Sequence, residues 1–252
     1  MGGAIVRGMV DANIASPESI FLYDKDIDKA AALSKETGCL VGDLSQMVRG
    51  SGMLLVAVKP QDSEALFREI AGDIVDQAII SVMAGVKIGT IAKRLGKKAA
   101  IARVMPNMGA FVGEGVTGAA FSDDFSRKQE VLEIFRGVGK VVEVNENDMD
   151  AVTAVSGSGP AYLFYLAAAM IEAAKEEGLT EEHAGTLVCQ TLKGSALVLE
   201  GSKLSAGELI AKVASKGGTT EAALNVFNAE GMDKIIRKGI SAARKRSEEL
   251  SG

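Results

Sequence analysis

The side chains best suited to chemistry stand in a small-residue turn, residues 213–224, where two glycines precede two threonines. Apolar residues at helical spacing follow, so the amides of Gly217, Gly218 and Thr219 should lie among the unpaired donors of a first helical turn. Such amides and the positive end of the helix dipole bind a carboxylate or phosphate. The two threonine hydroxyls would place a proton donor beside that anion. An ordinary glycine turn before a helix cap explains this segment equally well when it is taken alone.

A second signal lies at the first residues of the chain. Residues 1–8 read like the last part of a G-x-G-x-x-G turn, with Gly2 as its third glycine. Asp24 follows an apolar run at the distance where such folds place an acid that accepts the ribose hydroxyls. Lys25 would offset that charge, so use of both NADH and NADPH is expected. Residues 1–8 and Asp24 are each weak evidence for a dinucleotide site when taken alone.

Composition narrows the class of protein. The 252 residues carry a net charge of −5 and no basic domain, which disfavours nucleic acid as a partner. The single histidine, His183, stands among acids at a predicted helix start, which disfavours zinc chemistry and a serine–histidine triad. Cys39 and Cys189 lie in apolar segments, which predicts buried free thiols and a cytoplasmic location. No signal peptide is predicted, and the apolar run 161–171 is too short to span a membrane.

Short apolar runs alternate with helical stretches as far as Val144, and only helical patterns follow. Continuous apolar runs predict strands buried on both faces, and hence a mostly parallel sheet covered by helices. We therefore predict an α/β protein with a Rossmann-like dinucleotide-binding domain at 1–144 and an all-α substrate-binding and dimerisation domain at 145–252. The helix over 161–171 is apolar on all sides, which predicts cover by a partner subunit. The predicted strands are 20–23, 53–58, 78–83, 100–104, 116–121 and 140–144.

Four segments together carry a family resemblance. They are Ala57-Val58-Lys59-Pro60 at a strand end, residues 103–117 beginning Arg-Val-Met-Pro-Asn, residues 154–162 containing Ser-Gly-Ser-Gly-Pro, and the Gly-Gly-Thr-Thr turn. In this order, over essentially the whole chain, they resemble pyrroline-5-carboxylate reductase. The resemblance implies a Rossmann domain, a helical domain that interlocks with a second subunit, and a homodimer that often assembles into a larger ring. It also implies hydride transfer from NADPH or NADH to the C=N carbon of 1-pyrroline-5-carboxylate, giving L-proline in the last step of proline biosynthesis.

The resemblance assigns roles to individual residues. Thr220 is implied as the catalytic hydroxyl near the ring nitrogen, and no metal is implied. The substrate-binding residues implied are Ser215, Gly217, Gly218, Thr219 and Thr220. The cofactor-binding residues implied are Gly2, Asp24, Ala57, Val58, Lys59, Pro60, Ala84 and Asn107.

The chain departs from the family pattern mainly on the coenzyme side. The family's first strand and the first two glycines of its phosphate turn are expected before Met1. Without them, the strands near Ile20 and Ala78 are expected to present facing edges, and weak coenzyme binding is expected. Lys216, Met108-Gly109 and Leu44 replace residues common in the family.

Two other functions stay open at this point. One is a cofactor-poor homologue that acts as a binding or regulatory subunit. The other is a further imine or β-hydroxy acid dehydrogenase, although the helix from Gly159 lacks the lysine expected of 3-hydroxyisobutyrate-type enzymes.

Overall fold

The computed structural model describes residues 1–96 and 99–251, which fall into two compact units. The first comprises Met1–Pro160 and the segment from Ala243 onward, and the second comprises Ala161–Ala242. The units thus divide the chain elsewhere than the predicted domains 1–144 and 145–252. The reason is local packing, since a Cβ added to Gly118 would lie 2.6 Å from Val152 Cγ1. Residues just after Asn145 therefore pack onto the sheet of the first unit.

Strands of the first unit form two sheets. In the smaller sheet β1 pairs with β2 in parallel, and the larger has the order β3-β4-β5-β6-β7. All its neighbours are parallel except β5 and β6, so the predicted mostly parallel sheet is confirmed. The strands are β1 (Phe21–Leu22), β2 (Leu40–Val41), β3 (Met53–Val56), β4 (Ala78–Ser81), β5 (Ile101–Pro106), β6 (Gly115–Phe121) and β7 (Gly139–Glu143).

Helices cover both faces of the larger sheet. Successive residues of β4 point to opposite faces, so Ile79 joins a core with Phe67 and Ile91, whereas Ile80 joins a core with Phe135. Burial on both faces explains why the strand sequences read as continuous apolar runs. The helices are α1 (Gly2–Asp11), α2 (Ile27–Thr37), α3 (Leu44–Gly50), α4 (Ser63–Ile70), α5 (Ile88–Leu95), α6 (Lys128–Arg136) and α7 (Met149–Val152), which continues into a π-helical turn (Thr153–Gly157).

The predicted pair of facing edges is wrong. β4, which begins at Ala78, has hydrogen-bonded neighbours on both sides, namely β3 and β5. The edge strand of the larger sheet is β3, because the connection through α4 places β4 directly beside β3. The sequence analysis did not predict three elements, β2, α3 and α5. The two residues of β2 are exposed, and α3 and α5 are short helices.

The second unit is helical. It contains α9 (Glu181–Gly201), α10 (Ala206–Val213) and α11 (Thr219–Ala229), with most of α8 (Gly159–Glu176) and α12 (Met232–Ser251). A capping box opens α10, in which the Ser205 side chain accepts from the Glu208 amide and the Glu208 carboxylate accepts from the Ser205 amide.

Helix α8 leaves large apolar side chains uncovered. Phe164 is 62% exposed and Tyr165 is 80% exposed. The helical stretch Glu146–Glu176 has the length and apolar composition of a membrane-crossing helix, unlike the shorter run that the sequence analysis considered. An apolar surface of this kind is typical of a site of contact with another protein or a membrane.

Candidate active site

The start of α1 lies against the residue that follows β3. A Cβ built on Gly2 would lie 3.1 Å from Ala57 Cβ, so the structure brings these two predicted coenzyme residues together. The first α1 amides that bond the backbone are those of Ala4 and Ile5, which donate to Met1. The amides of Gly2 and Gly3 have no acceptor among the residues described. They offer a phosphate site at the positive end of the helix.

An ion pair holds α1 in place. Arg7 donates to both carboxylate oxygens of Glu36 on α2, at 2.6 and 2.8 Å. This hydrogen bond lowers the pKa of the Glu36 carboxyl below its usual value. Bidentate geometry fixes direction as well as distance, so the helix start at Gly2 has a defined orientation relative to α2.

The end of β1 and the turn after β3 are also joined. Lys25 Nζ lies 3.1 Å from Asp62 Oδ1, and Asp24 accepts the amide of Asp26 at 2.9 Å. Asp24 is exposed and uses only one of its carboxylate oxygens in this bond. The ion pair with Asp62 partly offsets the charge of Lys25.

The residues after β3 differ in the exposure of their side chains. Ala57, Lys59 and Pro60 are exposed, whereas Val58 packs its side chain against the core around Phe67. Val58 therefore offers only its backbone to a ligand. Lys59 precedes a 3-10 turn, Pro60–Asp62, whose first position suits proline.

Ala84 and Asn107 follow β4 and β5, at the same carboxyl edge of the sheet. Ala84 is exposed beside buried Met83. The Asn107 side-chain oxygen accepts the amides of Gly109 and Val116, both at 3.1 Å, and so shapes the loop before β6. Open α/β sheets bind ligands at this edge.

The Gly-Gly-Thr-Thr turn lies in the second unit, directly before a helix. α11 starts at Thr219, with Gly218 as the capping residue. Gly217 donates its amide to the Glu221 carboxylate at 2.6 Å, and Gly218 donates to the Ser215 carbonyl at 3.0 Å. The prediction that these two glycine amides are unpaired is therefore wrong.

Other donors take their place at this helix start. The amides of Thr219 and Thr220 have no acceptor within the described part of the chain, and the Thr220 hydroxyl, which is half-buried, has no partner there either. Gly217 has φ = +74°, a backbone conformation that favours glycine. Within the described residues, the turn thus presents two free amides together with the hydroxyls of Ser215, Thr219 and Thr220.

Glu221 contributes a hydrogen bond to this turn that the sequence analysis did not predict. It stands at the third position of α11, and an acid there reaches back to the amides before the helix. That spacing is a recognisable signal in the sequence. The Ser215 carbonyl, rather than its hydroxyl, closes the other side of the turn.

Thiols and metal ligands play no visible part. Cys39 is buried and Cys189 is exposed, so the prediction of a buried thiol is wrong for Cys189, which lies on an open face of α9. In residues 1–96 and 99–251, no group of three histidine, cysteine, aspartate or glutamate side chains is arranged to hold a metal ion.

Comparison with known proteins relates both parts of the chain to one class of enzyme. Residues 146–250 match the family model described as pyrroline-5-carboxylate reductase dimerisation, and residues 1–85 match one described as NADP oxidoreductase, coenzyme F420-dependent. The first of these matches begins at residue 146.

Individual relatives extend this result over the full length. Pyrroline-5-carboxylate reductase of Mycobacterium leprae is 34% identical over 275 residues, covering 99% of this chain and 93% of its own. The structure of a pyrroline-5-carboxylate reductase from Coxiella burnetii has a TM-score of 0.93 at 33% identity and covers 100% of this chain and 95% of its own. The Plasmodium falciparum pyrroline carboxylate reductase, solved with NADP bound, has a TM-score of 0.89 at 29% identity, with coverage of 100% and 95%. The chain therefore belongs to the pyrroline-5-carboxylate reductase family.

Proposed function

We propose that this protein reduces 1-pyrroline-5-carboxylate to L-proline with NADPH or NADH, as its family does, and that Thr220 supplies the hydrogen bond to the ring nitrogen. The observation that carries the assignment is the start of α11, where a free hydroxyl stands beside two free amides. The amides of Thr219 and Thr220 would bind the substrate carboxylate. Ser215, Gly217 and Gly218 would shape the turn.

The chemistry needs only these groups on the substrate side. Hydride goes from the nicotinamide to the C=N carbon, and the nitrogen gains a proton. A hydrogen bond at that nitrogen draws electrons from the carbon and so lowers the barrier. The coenzyme supplies the hydride, whereas the protein supplies binding and orientation.

We place the coenzyme along the carboxyl edge of the first unit. The free amides at the start of α1 would hold phosphate, and exposed Asp24 would accept a ribose hydroxyl. Lys59, Pro60 and the backbone of Val58 would line the middle. Ala84 and Asn107 would lie at the nicotinamide end.

The assembly belongs to the same proposal. The exposed apolar side chains of α8 fit a homodimer joined through the helical domain, and the dimer would assemble further into a ring. Two free cysteines fit a reducing cytoplasm.

The test of Thr220 is its replacement by valine, which keeps the size and removes the donor. Turnover should fall about 10²-fold, as when other positioned donors are removed. Thr219→Val is the matched control, because it removes the neighbouring hydroxyl but keeps the amide proposed to bind the carboxylate. Turnover by Thr220→Val close to that of the control would refute the assignment.

The same measurements separate the alternatives. A cofactor-poor homologue would bind neither coenzyme in a fluorescence titration. A different imine or β-hydroxy acid dehydrogenase would turn over those substrates faster than 1-pyrroline-5-carboxylate.

A further inference from the structure

A buried arginine in β5 lies between two carboxylates from other elements. Arg103 is 2% exposed; its Nη1 lies 3.6 Å from Glu146 Oε1 and its Nη2 lies 3.6 Å from Asp150 Oδ1. A buried guanidinium is stable only with opposite charge beside it, so the arginine and the two acids hold one another in place. Arg103 Nη1 has no hydrogen-bond acceptor within the described residues.

The Glu146 arm ends on the loop that follows β4. Glu146 Oε1 accepts the amide of Ile88 at 2.6 Å. Ile88 is the first residue of α5, where a carboxylate satisfies a free amide and interacts favourably with the helix dipole. The carboxylate therefore fixes the point where loop 84–87 enters the helix.

The Asp150 arm ends on the last turns of α12. Asp150 Oδ1 accepts from Ser247 Oγ at 2.7 Å and from Ser251 Oγ at 3.1 Å. Both serines are buried, although serine is mostly an exposed residue. This arm holds the end of α12 against the first unit, to which that segment belongs.

The end of α12 also touches loop 84–87. Gly85 has φ = +73°, and a Cβ added there would lie 3.2 Å from the carbonyl oxygen of Leu250. Within the loop, the amide of Val86 reaches the Met83 carbonyl only at 3.5 Å. Bonding inside the loop is weak, so its position depends on Glu146 at one side and α12 at the other.

We infer that Glu146, Arg103 and Asp150 are positioning residues for loop 84–87 and hence for the nicotinamide end of the coenzyme site. The inference rests on the proposed function, in which Ala84 contacts the coenzyme. The Glu146 contact to Ile88 and the contact of α12 with Gly85 both lead to this loop. The effect of this network should therefore fall on coenzyme affinity rather than on the substrate turn.

Glu146→Ala tests this role. The dissociation constant for NADPH should rise about tenfold, the order expected for loss of a charge-assisted hydrogen bond. The Michaelis constant for 1-pyrroline-5-carboxylate should stay within about twofold. Hydrogen exchange of peptides covering loop 84–87 should accelerate. Glu146→Gln keeps an acceptor for the Ile88 amide and should recover most of the affinity.

Two further variants make the test decisive. Glu143→Ala is the matched control. It removes an exposed ion pair in which Glu143 Oε1 lies 2.9 Å from Lys128 Nζ. If Glu146→Ala does not fold, the double variant Ser247→Ala/Ser251→Ala probes the other arm and should weaken NADPH binding about threefold.

The failures of the two proposals are distinguishable. A parent protein that binds NADPH and reduces 1-pyrroline-5-carboxylate, with unchanged NADPH affinity in the folded variants, overturns the positioning role alone. Equal loss for both ligands together with a lower melting temperature also overturns it, because the network would then be only structural. A parent that neither binds NADPH nor turns over overturns both proposals.

Discussion

Replacing Gly218 by alanine should weaken substrate binding and leave coenzyme binding almost unchanged. Gly218 has φ = −85° and ψ = 171°, an extended conformation that alanine adopts without strain. The effect of the new methyl group is therefore one of contact. Its Cβ would lie 2.5 Å from Ser215 Oγ and 3.1 Å from the Ser215 carbonyl oxygen.

The two contacts are relieved in different ways. Ser215 is exposed and its hydroxyl has no hydrogen-bond partner among the described residues, so the oxygen can turn to another staggered rotamer at small cost. The carbonyl oxygen cannot turn away, because it accepts the Gly218 amide at 3.0 Å. The turn must therefore widen, and the amides of Thr219 and Thr220 move with it.

A shift of this size should cost about 1 kcal/mol, at the low end for overpacking. That energy corresponds to a roughly fivefold rise in the Michaelis constant for 1-pyrroline-5-carboxylate. The assay follows loss of NADPH absorbance over a range of substrate concentrations, and fluorescence titration gives the coenzyme dissociation constant.

Two companion variants identify the cause. Ser215→Ala in the Gly218→Ala background removes the closest contact and should recover part of the affinity, whereas Gly217→Ala should lower stability by about 1–2 kcal/mol because Gly217 is left-handed. An unchanged Michaelis constant in Gly218→Ala would refute the reasoning. Equal weakening of both ligands would show instead that the fold had been disturbed.

Three other predictions follow from the remaining contacts. Asp24→Ser should shift the ratio of kcat/KM toward NADPH, because it removes the charge that would repel a 2′-phosphate; an unchanged ratio would mean that Asp24 does not face the ribose. Light scattering should give a mass of at least twice 26.2 kDa, and Phe164→Glu on α8 should reduce it, whereas a helical monomer of the parent would contradict the proposed dimer. Hydrogen bonds from Ser205 lower the pKa of the Glu208 carboxyl below its ordinary value of 4.5. This cap therefore stabilises α10 at pH values above 4.5, and the stabilisation is lost as pH falls through the lowered pKa. Circular dichroism of Ser205→Ala should show less of this acid dependence, and identical curves would count against it.

Local pattern was enough to predict the kind of fold and a helix start at the Gly-Gly-Thr-Thr turn. Apolar runs predicted the sheet because its strands are buried on both faces. The Ser205 capping box is also a local feature, because both of its partners lie within four residues. The motif around Gly218 and Thr220 could be read directly, since a helix start is specified by neighbouring residues.

Only the tertiary structure decided which distant groups meet. Strand order depends on where each crossover helix packs, so β3 rather than a gap lies beside β4. Arg103 meets Glu146 and Asp150 because β5 and the segment around α7 pack together, and no local pattern encodes that contact.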